Sequence, residues 1–323
     1  MSAYDSIIGA DMKRLSFLVS LTNNDNDYQL EQAHAAEQTA RRLGVDVKII
    51  YADNDSITQS QQLLGVIQSK SGLMPDAILF EPVGGTGFPQ VARAAAEAGI
   101  GWVILNRDVD YITALRKAHR VPVFAVTSDH EEIGRIQGRQ LAALLPNGGS
   151  VLYIEGPSDS LAAKQRSTGM YETKPVEVQV KLMRGQWTES SAYKNVSSWL
   201  RLSTAQQTPI DVVAAQDDSM AAGARKAFLE LPPSALRDRW LGVPFLGCDG
   251  MPKTGQAWVK SGLLAGTVIV PPNTGQAIEM LVQAVQKNTL PPERTMTQPV
   301  SYPAITALAA AQAEKARALG AGR

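Results

Sequence analysis

Ten short apolar runs recur along the 323-residue chain, and helical patterns fill the intervals between them. The runs cover residues 15–20, 45–51, 77–80, 102–105, 123–126, 150–154, 178–183, 211–215, 243–247 and 267–270. Most are rich in Val, Ile, Leu or Phe and do not alternate with polar residues. A strand without such alternation is buried on both faces, as in a parallel sheet covered by helices. Between the runs, Leu30, Ala33, Ala36, Ala40 and Leu43 repeat at helical spacing, and Gly44 follows as a C-terminal cap. Ile278, Leu281, Val282 and Val285 do the same behind Asn273 and Thr274, residue types that cap helix N-termini. Strand and helix in alternation predict a doubly wound α/β fold. Ten strands exceed one comfortable sheet of that kind, so two sheets are expected. Proline pairs at 232–233, 271–272 and 291–292 mark breaks, and the alanine-rich tail over 307–321 reads as a terminal helix.

Charge and composition narrow the function. Lys and Arg total 31 and Asp and Glu total 31, so the formal net charge is zero. A nucleic-acid binder ordinarily carries a basic stripe, so nucleic acid is not an expected partner. No run of 18 apolar residues is present to span a membrane. The single cysteine, Cys248, permits no intrachain disulfide and no cysteine-based zinc site, and it reads as a buried strand residue. His34, His119 and His130 form no H-x-x-x-H pair, so no metal is expected. The glycine-rich stretch at 84–87 follows a strand but lacks the Lys-Ser/Thr of a phosphate loop, and no Gly-x-Ser-x-Gly elbow occurs. The sequence therefore predicts a protein that is not an enzyme and needs no cofactor. Residues 1–14 lack a basic stretch leading into an apolar one, so no signal peptide is visible.

Several segments, taken in order, resemble the type I periplasmic sugar-binding family of ribose-, galactose- and allose-type receptors. They are the strand and polar loop from Phe17 to Tyr28, and Val103-Ile-Leu-Asn-Arg107. Val126-Thr-Ser-Asp129 follows, with Gly134 and Gly138, then Glu155-Gly156 with Ala163 and Arg166. The last are Ala215-Gln-Asp-Asp-Ser-Met-Ala-Ala-Gly223 and Gly247-Cys-Asp-Gly250. The likeness runs from about residue 15 to 299; each segment is weak alone, and their order is what is specific. The resemblance implies an α/β fold of two Rossmann-like lobes with parallel sheets, joined by three crossover strands near Ser128, Val270 and Gln298. One lobe would comprise 1–127 plus 271–298, the other 128–270 plus 299–323. It further implies a monomeric receptor that holds a monosaccharide or polyol between the lobes and delivers it to an ABC transporter permease or a membrane sensor. Kinship alone points to the periplasm. The alternative is a cytoplasmic ligand sensor related to LacI-type regulators, without their DNA-binding module, since about fourteen residues before Leu15 are too few for one.

Ligands of open α/β sheets sit beyond the carboxyl ends of the strands. That rule selects Asn23, Asn24, Tyr28, Glu81, Asn106, Arg107, Gln216, Asp217, Asp218 and Asp249. The resemblance selects nearly the same positions and adds Arg166 and Trp187. The candidate ligand set is Asn24, Tyr28, Glu81, Asn106, Arg107, Arg166, Trp187, Asp217 and Asp249. Carboxylates and amides accept protons from sugar hydroxyls while guanidinium groups donate in a fixed fork. An indole at 187 would lie against the C–H face of a ring, a usual arrangement of an aromatic plate beside convergent polar groups.

Each residue has an ordinary reading as well. Arg107 could pair with Asp108 or Asp110, Asp249 could serve only a turn, Arg166 could be a solvated helix residue, and Trp187 could be packing. Of Asp217 and Asp218, one would face ligand and the other cap the following helix, with Asp217 the preferred ligand residue. Two positions depart from the family pattern: Val270 stands where relatives commonly carry glutamine, and Glu81 where they often carry asparagine. Three carboxylates (Glu81, Asp217, Asp249) then face two arginines, which suits a neutral polyol and also admits an amino sugar or another cation.

Overall fold

The computed structural model describes residues 14–69, 74–84 and 87–321. Residues 1–14 of the leader reading therefore fall almost wholly outside it, as do Gly85 and Thr86 of the glycine-rich stretch. The first half runs β1 (Ser16–Leu21), α1 (Asp27–Leu43), β2 (Asp46–Tyr51), α2 (Ser56–Ile67), β3 (Ala77–Phe80), α3 (Pro89–Glu97), β4 (Gly101–Leu105), α4 (Ile112–Ala118) and β5 (Val123–Ser128). Then come α5 (His130–Leu144), β6 (Gly149–Glu155), α6 (Leu161–Thr173), β7 (Val178–Arg184), α7 (Glu189–Leu200), α8 (Ser203–Gln207), β8 (Val212–Ala215) and α9 (Asp218–Leu229). The chain closes with α10 (Ala235–Gly242), β9 (Phe245–Leu246), α11 (Gly255–Lys260), β10 (Thr267–Ile269), α12 (Thr274–Lys287), β11 (Arg294–Thr297), β12 (Val300–Tyr302) and α13 (Ile305–Ala321).

These elements build two parallel sheets. One has six strands in the order β11-β5-β4-β3-β1-β2, the other four in the order β7-β6-β8-β9. Alternate residues of the first sheet face opposite helical layers, as the two-residue strand period requires. Phe17, Val19, Leu21, Val103, Leu105 and Phe124 pack under α1 and α12. Leu18, Ile78, Phe80, Trp102 and Ile104 pack under α2, α3 and α4. The second sheet is covered the same way, with Leu152, Ile154, Val213 and Ala215 on one face and Val151, Tyr153, Val212 and Ala214 on the other.

The chain passes between the sheets three times. After β5 it enters α5, which packs on α6 of the second sheet. After β10 it returns to α12, which packs on α1. After β11, which pairs with β5, it enters β12, which pairs antiparallel with β10. The fold is thus two Rossmann-like lobes joined by three crossings. β11 and β12 are the strands absent from the ten apolar runs. Arg294-Thr-Met-Thr297 and Val300-Ser-Tyr302 are short and mostly polar, and no more than half-buried over most of their length, so hydrophobicity does not mark them.

The helices α5 and α6 approach so closely that only glycine fits at their contact. A Cβ on Gly134 would lie 2.0 Å from the Arg166 carbonyl oxygen, and one on Gly169 would lie 2.0 Å from the Glu131 carbonyl oxygen. Backbone cannot step aside as a side chain can, and overpacking costs typically about 1–3 kcal/mol. Gly134→Ala is therefore expected to destabilise the chain by at least that amount in urea unfolding. A midpoint equal to wild type would show that the helices separate freely.

Candidate functional site

Both sheets reverse strand order next to their first strand: β1 lies between β2 and β3, and β6 between β7 and β8. Ligand crevices open at such switch points, beyond the carboxyl ends of the strands. A cavity of about 660 Å3 lies there, walled from both lobes. Tyr28, Glu81, Asn106, Arg107, Arg166, Trp187, Asp217 and Asp249 all line it. Asn24 does not: its side chain is exposed on the loop before α1. In its place the loop turns in Asn23 and Asn26. Asn23 Oδ1 accepts from the Asp25 and Asn26 N–H groups, which folds the loop around residue 23 and leaves residue 24 at its outer tip.

On the first lobe, Glu81 is a clamp. Its Oε2 accepts from Gln29 at 2.9 Å, and its Oε1 from Asn106 Nδ2 at 3.0 Å, with Arg107 at 3.4 Å from the same oxygen. Arg107 also donates to the Asn106 carbonyl at 2.8 Å. It is not paired with its neighbour Asp108, which bonds Arg294 instead. Fixing Asn106 Nδ2 on Glu81 aims the amide oxygen the other way. Asn106 Oδ1 is buried without a hydrogen-bond partner among the described residues, and the residue sits at φ 55°. Left-handed backbone at a non-glycine residue is sparsely populated and persists where surroundings enforce it.

On the second lobe, Arg166 is 5% exposed and not a solvated helix residue. It donates to the Gln216 carbonyl, lies 3.7 Å from Asp249, and places its guanidinium 5.4 Å from the Trp187 ring centroid. Such cation–π stacking holds both groups in place. The indole in turn rests on Gly156, where a Cβ would lie 2.1 Å from Trp187 Cζ2. Gly156→Ala should therefore push the indole into the cavity and weaken ligand binding at least tenfold, as read by calorimetry; unchanged affinity would mean the indole is not a wall of the site.

The pair at 217 and 218 divides differently from the sequence expectation. The two oxygens of Asp217 differ: Oδ1 caps α9 by accepting from Met220 N at 2.6 Å, while Oδ2 is buried without a partner among the described residues. Asp218 neither caps nor lines the cavity. It accepts from Thr267 Oγ1 and from Gly250 N, each at 2.7 Å, tying α9 to β10 and to the loop that carries Asp249. Burial pushes the Asp217 carboxyl up to about 7, against the Met220 N–H and Arg166, which lower it. Burial likewise drives Asp249 well above the usual carboxylate range despite Arg166.

For Asp218, burial raises the carboxyl to about 8, partly offset by Thr267 and the Gly250 N–H. A carboxyl whose folded pKa exceeds its unfolded one binds extra protons when folded, so it favours the fold at low pH. That advantage is lost as pH rises from about 4 through 8, at up to about 1.4 kcal/mol per pH unit for one proton. Asp218→Asn should flatten the decline in unfolding free energy over this window; an unaltered slope would place the titration elsewhere.

Sequence reasoning missed the groups that connect these walls. His130, 4% exposed, contacts the Asn106 carbonyl at 2.9 Å through Nε2 and receives Arg166 Nε at 3.4 Å on Nδ1. Burial, with Arg166 and Arg107 adding to it, keeps the imidazole neutral, which suits a donor at Nε2 and an acceptor at Nδ1. Asn26 caps α1 with its Oδ1 and donates from Nδ2 across the cavity mouth to the Trp187 carbonyl at 3.0 Å. Tyr28 lines the cavity but sends its hydroxyl to Asn273 at 3.4 Å, packed among Ile133, Cys248 and Val270. A polar residue on an otherwise apolar helix face was the available signal for Gln29 and Gln32, three apart on α1. Cys248 is buried, as expected, but it lies two residues beyond β9 rather than in a strand.

The chain belongs to the periplasmic binding protein domain family, whose sequence profile matches residues 17–289. A galactofuranose-binding protein of Escherichia coli (strain K12) is 24% identical over 308 residues, covering 92% of each chain. A putative rhizopine-binding protein of Rhizobium meliloti is 28% identical, over 70% of this chain and 68% of that protein. Among solved structures, a galactofuranose binding protein superposes with a TM-score of 0.75 at 23% identity, covering 95% of this chain and 99% of the other.

Proposed function

We propose that this chain is a non-catalytic receptor that closes its two lobes on a sugar or sugar-like polyol. The observation that carries this reading is the pair of buried, unpartnered acceptors, Asn106 Oδ1 and Asp217 Oδ2, one from each lobe, on the wall of one cavity. A buried acceptor without a donor costs on the order of 1–3 kcal/mol, so such atoms call for a ligand rich in donors. Hydroxyl groups supply them. Asp249, Arg107 and Arg166 complete the polar set, Trp187 supplies the apolar face, and Tyr28 and Glu81 shape the wall. The family and its sugar-binding relatives support the same ligand class and a periplasmic location. We assign the lobes to 1–127 plus 271–298 and 128–270 plus 299–323. The receptor works as a monomer and delivers its ligand to an ABC transporter permease or a membrane sensor.

A thermal-shift screen against pentoses, hexoses, inositols and amino sugars tests the reading. A true ligand at 100 times its dissociation constant adds about 2.7 kcal/mol of stability, seen as a raised melting temperature. No shift from any member at millimolar concentration would count against it.

A further inference from the structure

We propose that the bound sugar or polyol carries a protonated amine, and that Asp217 Oδ2 receives its ammonium group; the proposal rests on the receptor reading above. The wall of the cavity holds three buried carboxylates, Glu81, Asp217 and Asp249, against two guanidinium groups, the buried Arg166 and the partly buried Arg107. At the exposed rim Asp159 and Lys194 offset each other. Glu81 is fully used, with both oxygens bonded and Arg107 beside it. Among the described residues Arg166 is the single cation facing the second lobe's pair, and it lies 3.7 Å from Asp249. Among the described residues Asp217 therefore has no counter-charge of its own, and one of its oxygens has no donor.

An isolated carboxylate is too costly to bury, so it either takes up a proton or meets a cation. The upward shift of Asp217 shows the first response within the chain itself. A ligand ammonium supplies the second. It brings three donors to a site whose unpartnered atoms, Asp217 Oδ2 and Asn106 Oδ1, are both acceptors. A neutral hydroxyl satisfies the geometry but supplies no charge, so Asp217 keeps to the first response and stays protonated.

Paired probes decide the matter: glucosamine with glucose, galactosamine with galactose, and an amino-deoxyinositol with inositol, titrated calorimetrically at pH 7. In the pair that binds, the amine should bind at least tenfold tighter than its neutral counterpart, because charge-assisted hydrogen bonds are about twice as strong as neutral ones. Asp217→Asn should cut that preference at least tenfold. Asparagine still caps α9, so the variant keeps its fold. A neutral member that binds as tightly as its amine would overturn the proposal and leave the receptor reading standing. A preference unchanged in Asp217→Asn would overturn it equally, since the ammonium would then sit elsewhere. Failure of every pair to bind would sink both.

Discussion

Replacing Arg166 with methionine is expected to destabilise the fold by about 3–5 kcal/mol, the usual result of removing one partner of a buried ion pair. Arg166 is the cation shared by Asp249 and Asp217, the plate beneath Trp187 and a donor to the Gln216 carbonyl. Methionine fills part of the volume but leaves the two carboxyls without a counter-charge. The deficit should depend on pH, and its sign follows from the upward shifts of both groups. Their folded pKa values already exceed the unfolded value, so stability falls as pH rises from about 4. Without Arg166 the folded values move higher, and the fall continues to higher pH. Urea unfolding at pH 5 and pH 8 should therefore show a larger gap from wild type at pH 8. A gap of the same size at both would separate Arg166 from these carboxyls.

Asp249→Asn should do the opposite: ligand affinity collapses and the fold survives. Asparagine keeps the shape and tolerates the backbone at φ 99° better than most residues. Burial already disfavours the wild-type carboxylate, so a neutral amide costs the unliganded chain little, about 1 kcal/mol or less. In the complex, loss of a buried charge-assisted hydrogen bond costs about 2–5 kcal/mol. That corresponds to roughly a thirtyfold to several-thousandfold weaker dissociation constant. A variant that melts near wild type and binds as tightly would remove Asp249 from the site.

The sheets were legible because parallel strands must be apolar on both faces, and runs such as 77–80 and 102–105 have no other use. β11 and β12 were not legible. They serve as crossings, and Thr295 and Ser301 carry no hydrophobic signal. Positions just after strands followed from the sheet rule, which is why Glu81, Asn106, Asp217 and Asp249, chosen by it, line the cavity. Asn24 lies off the cavity wall because a loop's path depends on its own bonds: Asn23 Oδ1 draws in the backbone N–H groups of Asp25 and Asn26 and turns residue 24 outward. The division of labour at 217 and 218 was also hidden. It depends on Thr267 and Gly250, far along the chain, reaching Asp218. His130 links two lobes through bonds that no local pattern encodes.

On the proposed reading a polyol binds in the cavity through Asp249, Arg166 and the two unpartnered acceptors. Calorimetric titration of the wild-type chain and Asp249→Asn, with the strongest ligand from the thermal screen, tests it most directly. Saturable one-to-one binding to wild type and a loss of at least thirtyfold in the variant, at matched folding, are expected. Equal affinity in the two, or no saturable heat from wild type, would contradict it.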